Sequence, residues 1–267
     1  MAIDYAIEYA CVPREQFGTE GILDRLKAAE RAQNVIHLFR EGGDQRPPSE
    51  MGFEMVRSQP DGSEETRVVL VQEMLDLADE LKPFSGCCEG CPANVMGAPF
   101  SCSGQIAYPI SSRAEGWLLE QLPGIEQPIV WLLLREGVVA NGYTGDAARS
   151  LRVNPAYFEE RRVRGRDMGE FTMSADQIFE MLFMVGSITP AHAGILLLLL
   201  GAVPREIEAP TVVTLMNGTI TREQIESEFP FILQDDPGDD GTIRDLKRFF
   251  LTLHTAWKLN QRLYLDA

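Results

Sequence analysis

The chain has 267 residues, of which 45% are hydrophobic, and a formal net charge of −16 at pH 7. This length fits one large domain or two small ones, with enough apolar residues to build a core without metals or disulfides. The surplus of acidic residues argues against nucleic acid and an anionic membrane surface as partners, because both attract cationic proteins. The charge is compatible with a basic protein partner, and the oligomeric state stays open.

The sequence predicts a cytoplasmic protein without a membrane span. Asp4 and Glu8 lie near the start, where a signal peptide has basic residues and then an apolar run. The longest apolar run, Ala193–Val203, has about half of the roughly 20 residues that span a membrane, so it predicts a buried helix. The odd number of cysteines, five, favours a reducing compartment, where clustered cysteines more often bind metal or do redox chemistry than form structural disulfides.

The first hundred residues predict a strand, a helix, a hairpin and a second helix. Aromatic and β-branched residues indicate the strand, helical spacing of apolar residues indicates the helices, and Asp61-Gly62 is a strong hairpin signal. The predicted ranges are a strand over 3–12, a turn over 13–18, a helix over 21–41, hairpin strands over 52–58 and 66–71, and a helix over 72–81 that leads into a cysteine-rich loop.

The remainder of the chain predicts mostly helix. Helix starts are indicated by the capping boxes Ser174-x-x-Gln177 and Thr221-x-x-Gln224, and by Thr189 before a proline. The predicted ranges are a short strand over 105–110, helices over 112–122 and 127–140, a strand over 211–215, and a last helix over 242–264. The fold class is therefore α+β, with a mainly α-helical C-terminal part. The predicted domains are 1–140, which carries the cysteine-rich loop 85–104, and 141–267, although a single domain also fits.

Four of the five cysteines fall within that one loop. Cys88-x-x-Cys91 has the spacing of a zinc knuckle, in which a two-residue gap lets both thiolates face one ion. Gly86 and Gly90 supply the backbone freedom that such a turn needs, and Pro92 prevents a helix from running across it. The pattern therefore predicts a thiolate metal site in the loop.

The predicted metal ligands are Cys87, Cys88, Cys91 and Cys102. Three thiolates come from Cys88, Cys91 and Cys102, and the fourth ligand is Cys87, Cys11 or another residue. Zinc is the commonest occupant of such a spacing. An iron–sulfur cluster is the alternative, because Cys91 precedes a proline, as does the last cysteine of ferredoxin-type motifs. Thiol redox chemistry, and plain packing of small buried cysteines, also stay open.

The sequence predicts no catalytic residue. Cys102 lies in a stretch close to a nucleophile elbow, but Phe100 stands where the first glycine belongs. A cysteine nucleophile also needs a histidine base. His37 and His254 lie within predicted amphipathic helices and are better explained as boundary or core residues, whereas His192 is the best candidate for a base or a fourth metal ligand.

An arginine-rich run, ERRVRGRD, occupies residues 160–167. One interpretation is a site for phosphate or for an acidic partner, since arginine binds both. The favoured interpretation is a solvated face of alternating charge, because acidic residues flank the run. The acidic residues predicted to neutralise the arginines are Glu159, Glu160, Asp167 and Glu170.

Two classes of function follow from these patterns. The favoured one is a non-catalytic protein in which thiolate-bound zinc orders the loop 85–104, in a structural or protein-interaction role. The alternative is an enzyme or electron carrier that uses the same cysteines in an iron–sulfur cluster or in thiol redox chemistry. A visible spectrum separates the two, because zinc is colourless and iron–sulfur clusters absorb visible light.

Overall fold

The computed structural model of the protein describes residues 2–58 and 64–266. These residues form two compact units. The hairpin unit comprises Ala10–Cys91, and the sheet unit comprises Met1–Tyr9 together with Pro92–Ala267. Both units contain helices and strands, which confirms the α+β class. The division at residue 140 stays a prediction.

Helix predominates in the described residues. The strands are β1 (Ala2–Ile7), β2 (Gly52–Ser58), β3 (Glu64–Leu70), β4 (Ser103–Ala107), β5 (Gly165–Asp167), β6 (Thr172–Ser174), β7 (Ser187–Ile188) and β8 (Leu263–Asp266). The α-helices are α1 (Val12–Glu41), α2 (Val71–Asp79), α3 (Ser112–Glu120), α4 (Pro128–Asn141), α5 (Asp146–Leu151), α6 (Ala175–Phe183), α7 (Pro190–Leu199), α8 (Ala209–Met216), α9 (Arg222–Glu228) and α10 (Gly241–Lys258). Short 3₁₀ helices span Pro48–Glu50 and Lys82–Cys88. The helices predicted over 72–81, 112–122 and 127–140 are confirmed as α2, α3 and α4.

Helix α1 begins earlier than the sequence pattern predicts. Residues 13–18, predicted as a turn, belong to its first part, because Pro13 lies in the first helical turn, where its missing N–H needs no partner. Gly18 interrupts the helix with φ 71° and ψ 176°, a conformation that is essentially restricted to glycine. The strand predicted over 3–12 is correspondingly shorter and ends at Ile7.

The hairpin unit has a small hydrophobic core of its own. Strands β2 and β3 pair antiparallel along their length, which confirms the two predicted hairpin strands. The turn predicted at Asp61-Gly62 lies outside the described residues. Buried side chains come from α1, β3, α2 and the residue before β2, and they are Ala28, Ala32, Met51, Val69, Val71 and Met74.

A four-stranded antiparallel sheet organises the sheet unit, in the order β4-β1-β8-β7. Strand β1 lies between β4 and β8, and its residues Ile3, Tyr5 and Ile7 are almost completely buried. The prediction that the last helix runs to residue 264 is wrong, because α10 ends at Lys258 and β8 follows it. The sequence pattern does not reveal β8, because a strand is stabilised by cross-strand neighbours that lie far away in the chain.

The strand predicted over 211–215 is also wrong, because this stretch lies in helix α8. Pro210 occupies the first helical turn, where proline is favoured. The Thr214 hydroxyl donates to the Pro210 carbonyl oxygen at 3.1 Å, a bond typical of threonine within a helix. The preference of β-branched residues for strands is weak enough for these surroundings to override it.

Helices α7 and α10 supply much of the core of the sheet unit. The apolar run that predicts a buried helix forms α7, where Leu197 and Leu198 are fully buried. On α10, Phe249 packs edge-on against Tyr5 of β1, with the ring centroids 5.2 Å apart. Each large apolar side chain contributes about 1.5–3 kcal/mol when it is buried. Among the described helices, none is long and apolar enough to span a membrane.

Candidate functional site

Cys88 and Cys91 are the first and last residues of a tight turn. The Cys91 N–H donates to the Cys88 carbonyl oxygen at 3.3 Å. Glu89 has φ −68° and ψ 123°, and Gly90 has φ 67°. These values match a type II β-turn, whose third position favours glycine and whose end Cα atoms lie within about 7 Å of each other. Gly90 therefore has the role that the knuckle spacing predicts.

The other two cysteines of the hairpin unit lie at the ends of helices. Cys87 belongs to the 3₁₀ helix that leads into the turn, and it is exposed. Cys11 directly precedes α1, where its side chain caps no backbone N–H. The 3₁₀ helix packs on α1 through Phe84 and Phe17, whose ring centroids are 5.5 Å apart. All five cysteines lie in the described part of the chain, and none of them forms a disulfide.

Cys102 belongs to the sheet unit, where it directly precedes β4. Its carbonyl oxygen accepts a hydrogen bond from the Ile7 N–H at 2.9 Å, which extends the pairing of β1 with β4. Gly104, two residues further on, lies opposite Tyr5 in the sheet. A Cβ atom at Gly104 would lie only 2.5 Å from the Tyr5 hydroxyl oxygen. This glycine therefore makes room for a buried tyrosine.

The loop before Cys102 is held by its own hydrogen bonds. The Asn94 Oδ1 accepts the Gly97 N–H at 2.9 Å and also the Ser101 hydroxyl. The Met96 N–H donates to the Ser101 Oγ at 3.0 Å. Phe100, which stands where a nucleophile elbow has glycine, is buried and adopts a left-handed φ of 61°, which is uncommon for a bulky residue.

The four predicted metal ligands are divided between the two units. Cys87, Cys88 and Cys91 end the hairpin unit, and Cys102 belongs to the sheet unit. Among the residues that the structure describes, no three His, Cys, Asp or Glu side chains are grouped so as to hold a metal ion. The structure brings Cys88 and Cys91 together through their turn, and the metal site itself stays a prediction.

The sheet unit contains a buried ion cluster that the sequence pattern does not reveal. Arg152 is 2% exposed and lies between Glu115, 2% exposed, and Asp176, 0% exposed. The Arg152 Nε donates to Asp176 Oδ1 at 2.9 Å, and its Nη1 donates to Glu115 Oε2 at 3.2 Å and to the Glu160 carbonyl oxygen at 2.8 Å. The guanidinium also lies 4.0 Å from the ring centroid of Phe158.

This cluster holds two carboxylates around one guanidinium. Burial raises the pKa of Glu115, although the hydrogen bond from Arg152 acts in the opposite direction. Arg149 is the next cation, with its Nε 3.7 Å from Asp176 Oδ2. The three clustered residues come from α3, the end of α5 and the start of α6, so the cluster fixes these three helices to one another.

The arginine-rich run and the acidic residues that flank it have several different partners. Glu160 pairs with Arg164 at 3.5 Å. The other three acidic residues also have partners outside the arginines of the run. The Glu159 carboxylate accepts the Ser112 N–H, and the Asp167 carboxylate accepts the Gly169 N–H. Glu170 pairs with Arg135. Arg166 donates to carbonyl oxygens at the end of α3, with the Leu122 oxygen at 2.7 Å. Glu160 therefore pairs directly with an arginine of the run, and neutralisation by the other three acidic residues stays a prediction.

The sheet unit also contains an apolar cavity of about 350 Å³. Its walls come from α4, α6, α7 and α8, with one residue of β7. The buried side chains that line it are Met181, Ile188, Leu196 and Leu199. At its rim, Val185 and Met216 stay 37% and 57% exposed. The cavity therefore has an apolar floor and an apolar rim that faces solvent.

Polar side chains also line this cavity. Glu136, Asn141 and His192 are exposed and Tyr143 is half-buried, so these groups mark the mouth. Burial raises the pKa of Tyr143, and the negative charge of Glu180 raises it further. The phenol is therefore a neutral hydrogen-bond donor at pH 7. His192, predicted as a base or metal ligand, lies at the mouth of the cavity.

The other two histidines have structural surroundings. His37 is exposed on α1, with its Nε2 3.3 Å from Glu41 Oε1, so it is a surface residue. His254 is buried in α10, with its Nε2 2.9 Å from the Phe229 carbonyl oxygen. Burial lowers the pKa of His254, which keeps the ring neutral at pH 7. The prediction of a core histidine is confirmed for His254.

Comparisons with protein-family models, with curated proteins and with solved structures find no match to this chain. The chemistry of its own residues is thus the basis for any assignment of function. Within residues 2–58 and 64–266, the cysteine turn of the hairpin unit and the apolar cavity of the sheet unit are candidate sites.

Proposed function

We propose that this chain is a zinc-binding protein, in which Cys88 and Cys91 provide the first two thiolates and the bound ion has a structural or protein-interaction role. The observation that supports this most directly is the type II turn between the two cysteines, closed by its own hydrogen bond. Cys87 and Cys102 are the proposed further ligands, and Cys11 is the alternative to Cys87.

The turn supplies half of the ligands that zinc needs. Structural zinc sites are tetrahedral, with four cysteine or histidine ligands. Metal binding also releases enough free energy to gather ligands that are not arranged beforehand. The turn between Cys88 and Cys91 can therefore hold the first two ligands, and further cysteines can complete the site when the ion binds. The partial exposure of Cys91 leaves its thiol accessible to an entering ion.

The alternative is an iron–sulfur or thiol-redox enzyme that uses the same cysteines. The turn supports it too, because Cα atoms within about 7 Å approach the distance that a disulfide spans. One feature disfavours a thioredoxin-type dithiol. Such a motif opens a helix, whereas Cys88 ends a 3₁₀ helix and Pro92 follows Cys91.

Elemental analysis with a visible spectrum, on the full chain purified without air, tests the proposal. We expect about one zinc ion per chain and no visible absorbance. Iron and sulfide with visible absorbance would establish the alternative instead. A chain that holds no metal, even after incubation with zinc and removal of the excess, would contradict both forms of metal binding.

Single substitutions test the ligand assignment. Cys88→Ser and Cys91→Ser should each lose most of the bound metal, because a serine hydroxyl is a much poorer zinc ligand than a thiolate. Ser85→Ala is the matched control, since Ser85 lies in the same 3₁₀ helix and its hydroxyl only donates to the Lys82 carbonyl oxygen. Retention of all metal in both cysteine variants would refute the assignment. If Cys11 is the fourth ligand, Cys87→Ser should lose less of the bound metal than Cys11→Ser.

A further inference from the structure

We propose that the apolar cavity of the sheet unit binds an uncharged, mainly aliphatic small molecule that carries one hydrogen-bonding group. The volume of about 350 Å³ lies within the range of ligand pockets, roughly 300–1,000 Å³. A dry protein cavity of about 150 Å³ holds benzene. Scaling from that case gives room for a ligand of about 14 non-hydrogen atoms.

The lining favours an aliphatic ligand over an aromatic one. The floor consists of leucine, isoleucine and methionine side chains, and Tyr143 is the aromatic residue of the lining. Methionine side chains are unbranched and polarizable, so Met181 and Met216 can adapt to a flexible chain. The floor of the cavity is thus aliphatic, so it would select a ligand by its shape and its apolar surface area.

A ligand in the cavity would cover part of its apolar rim. Met216 and Val185 line the cavity and also expose 57% and 37% of their surface. A ligand seated in the cavity would remove part of this apolar surface from water, at about 25 cal/mol for each Å² covered. The same residues would form one wall of the entrance, since they flank the buried floor.

The mouth determines the polar part of the ligand. Tyr143 offers a neutral donor, and the His192 ring can donate or accept, so a hydroxyl or carbonyl group finds a partner there. Glu136 also lines the mouth, where its Oε1 accepts from the Arg135 Nη2 at 2.8 Å, and the chain as a whole has a net charge of −16. Because Arg135 already pairs with Glu136 and the chain is strongly acidic, an uncharged head group is favoured over an acid.

Calorimetric titration of the full chain with 1-decanol tests the proposal, with decanoate as the charged counterpart of equal length. We expect saturable binding of one 1-decanol per chain, and at least fivefold weaker binding of decanoate. Absence of saturable binding of 1-decanol overturns the proposal. Equal or tighter binding of decanoate overturns the assignment of an uncharged ligand.

A cavity-filling variant tests the location. Gly137 of α4 lines the cavity and a Cβ there would meet no atom within 4 Å, so Gly137→Leu adds a bulky side chain at the cavity wall. We expect it to weaken 1-decanol binding at least tenfold. Gly241→Leu is the matched control, since it also enters open space but lies outside this cavity, and it should bind 1-decanol normally. Unchanged binding by Gly137→Leu would overturn the location.

Two further measurements keep the test decisive. Ala140→Phe, from the next turn of α4, fills the same cavity if Gly137→Leu does not fold. Sedimentation of the unsubstituted chain and of Gly137→Leu identifies a second copy as the occupant. A dimer that this variant converts to monomer, with no binding of 1-decanol, overturns the small-molecule proposal.

Discussion

Arg152 compensates two carboxylates that burial removes from water, those of Glu115 and Asp176. An ionised group in a protein interior is stable only when it is paired, and removal of one partner leaves the other charge uncompensated. Burial already raises the pKa of Glu115 while Arg152 is present. The loss of the guanidinium would therefore leave two buried acidic groups with little to stabilise either charge.

We predict that Arg152→Met lowers the free energy of unfolding at pH 7 by about 3–5 kcal/mol, as loss of one partner of a buried ion pair does. Arg149→Met is the matched control, because Arg149 is half-exposed and its Nε lies no closer than 3.7 Å to Asp176 Oδ2. This substitution should lower the free energy of unfolding by less than about 1 kcal/mol. Urea unfolding measures both. Equal losses of unfolding free energy in Arg152→Met and Arg149→Met would show that the buried cluster does not make Arg152 more important for stability than Arg149.

Adding Glu115→Gln and Asp176→Asn to Arg152→Met should recover part of that loss, because no uncompensated charge then remains buried. The same urea measurement decides this. If the triple variant is less stable than Arg152→Met alone, then lost packing, and not buried charge, dominates the cost.

For single residues, the sequence predicts interactions between neighbours in the chain, but it does not predict interactions between residues far apart in the chain. The turn at Gly90 could be predicted, because the spacing of Cys88 and Cys91 and the glycine between them are all local. The ion cluster could not, since Glu115 and Asp176 are 61 positions apart by their residue numbers and nothing in either neighbourhood marks them as partners. Only the packing of helices makes them neighbours.

Helix starts show how neighbouring elements are coupled. Asp240 caps α10, since its Oδ1 accepts the Ile243 N–H at 2.8 Å. Its Oδ2 accepts the Ser111 hydroxyl at 2.7 Å, and Ser111 in turn caps α3 by accepting the Ala114 N–H at 3.0 Å. One carboxylate therefore fixes the starts of two helices.

We predict that Asp240→Ala lowers the free energy of unfolding by about 2 kcal/mol, the upper end of the usual cost of losing an N-cap, because two caps are affected. Asp240→Asn keeps a capping oxygen and should cost less than half as much. Thr221→Ala, which removes the single cap of α9, serves as a control at about 1 kcal/mol. Denaturant midpoints compare the three, and an equal cost for Asp240→Ala and Thr221→Ala would argue against the coupling.

Elements defined by local signals are the ones that sequence reasoning finds. The caps at Ser174, Thr189 and Thr221 are all confirmed, because a cap depends on residues three positions apart. Strand β8 and helix α8 differ from the sequence prediction, because the secondary structure of a short β-branched or aromatic stretch depends on its partners in space. Such a stretch is stabilised as a strand only when another strand pairs with it.

Across the whole molecule, the strands at the two ends of the sequence share one sheet. β1 pairs with β4 on one side and with β8 on the other, and β8 also pairs with β7. The hairpin unit, Ala10–Cys91, lies between β1 and the rest of the sheet unit in the sequence. The sheet unit is therefore discontinuous along the chain, whereas the hairpin unit is continuous.

We predict that a variant ending at Leu259, which lacks β8, loses the cooperative unfolding of the sheet unit and keeps the hairpin unit folded. β1 would then keep one strand partner, and the buried Leu263 and Leu265 side chains would be missing from the core. Hydrogen exchange detected by mass spectrometry measures both units in one sample. A control that lacks only Ala267 should keep full protection. Unchanged protection of β1 in the variant ending at Leu259 would contradict the prediction.

The pairing of β1 with β8 also has a consequence for synthesis on the ribosome. The end of β1 at Ile7 and the start of β8 at Leu263 are 256 positions apart by their residue numbers, so β8 is synthesised well after β1. Bacterial and eukaryotic ribosomes add about 5–20 residues per second, so β1 waits for tens of seconds without that neighbour. During this interval the apolar side chains of Ile3, Tyr5 and Ile7 lack part of their final cover. Until β8 pairs with β1, the nascent chain would therefore expose apolar surface of the kind that chaperones bind, and the folded protein buries that surface.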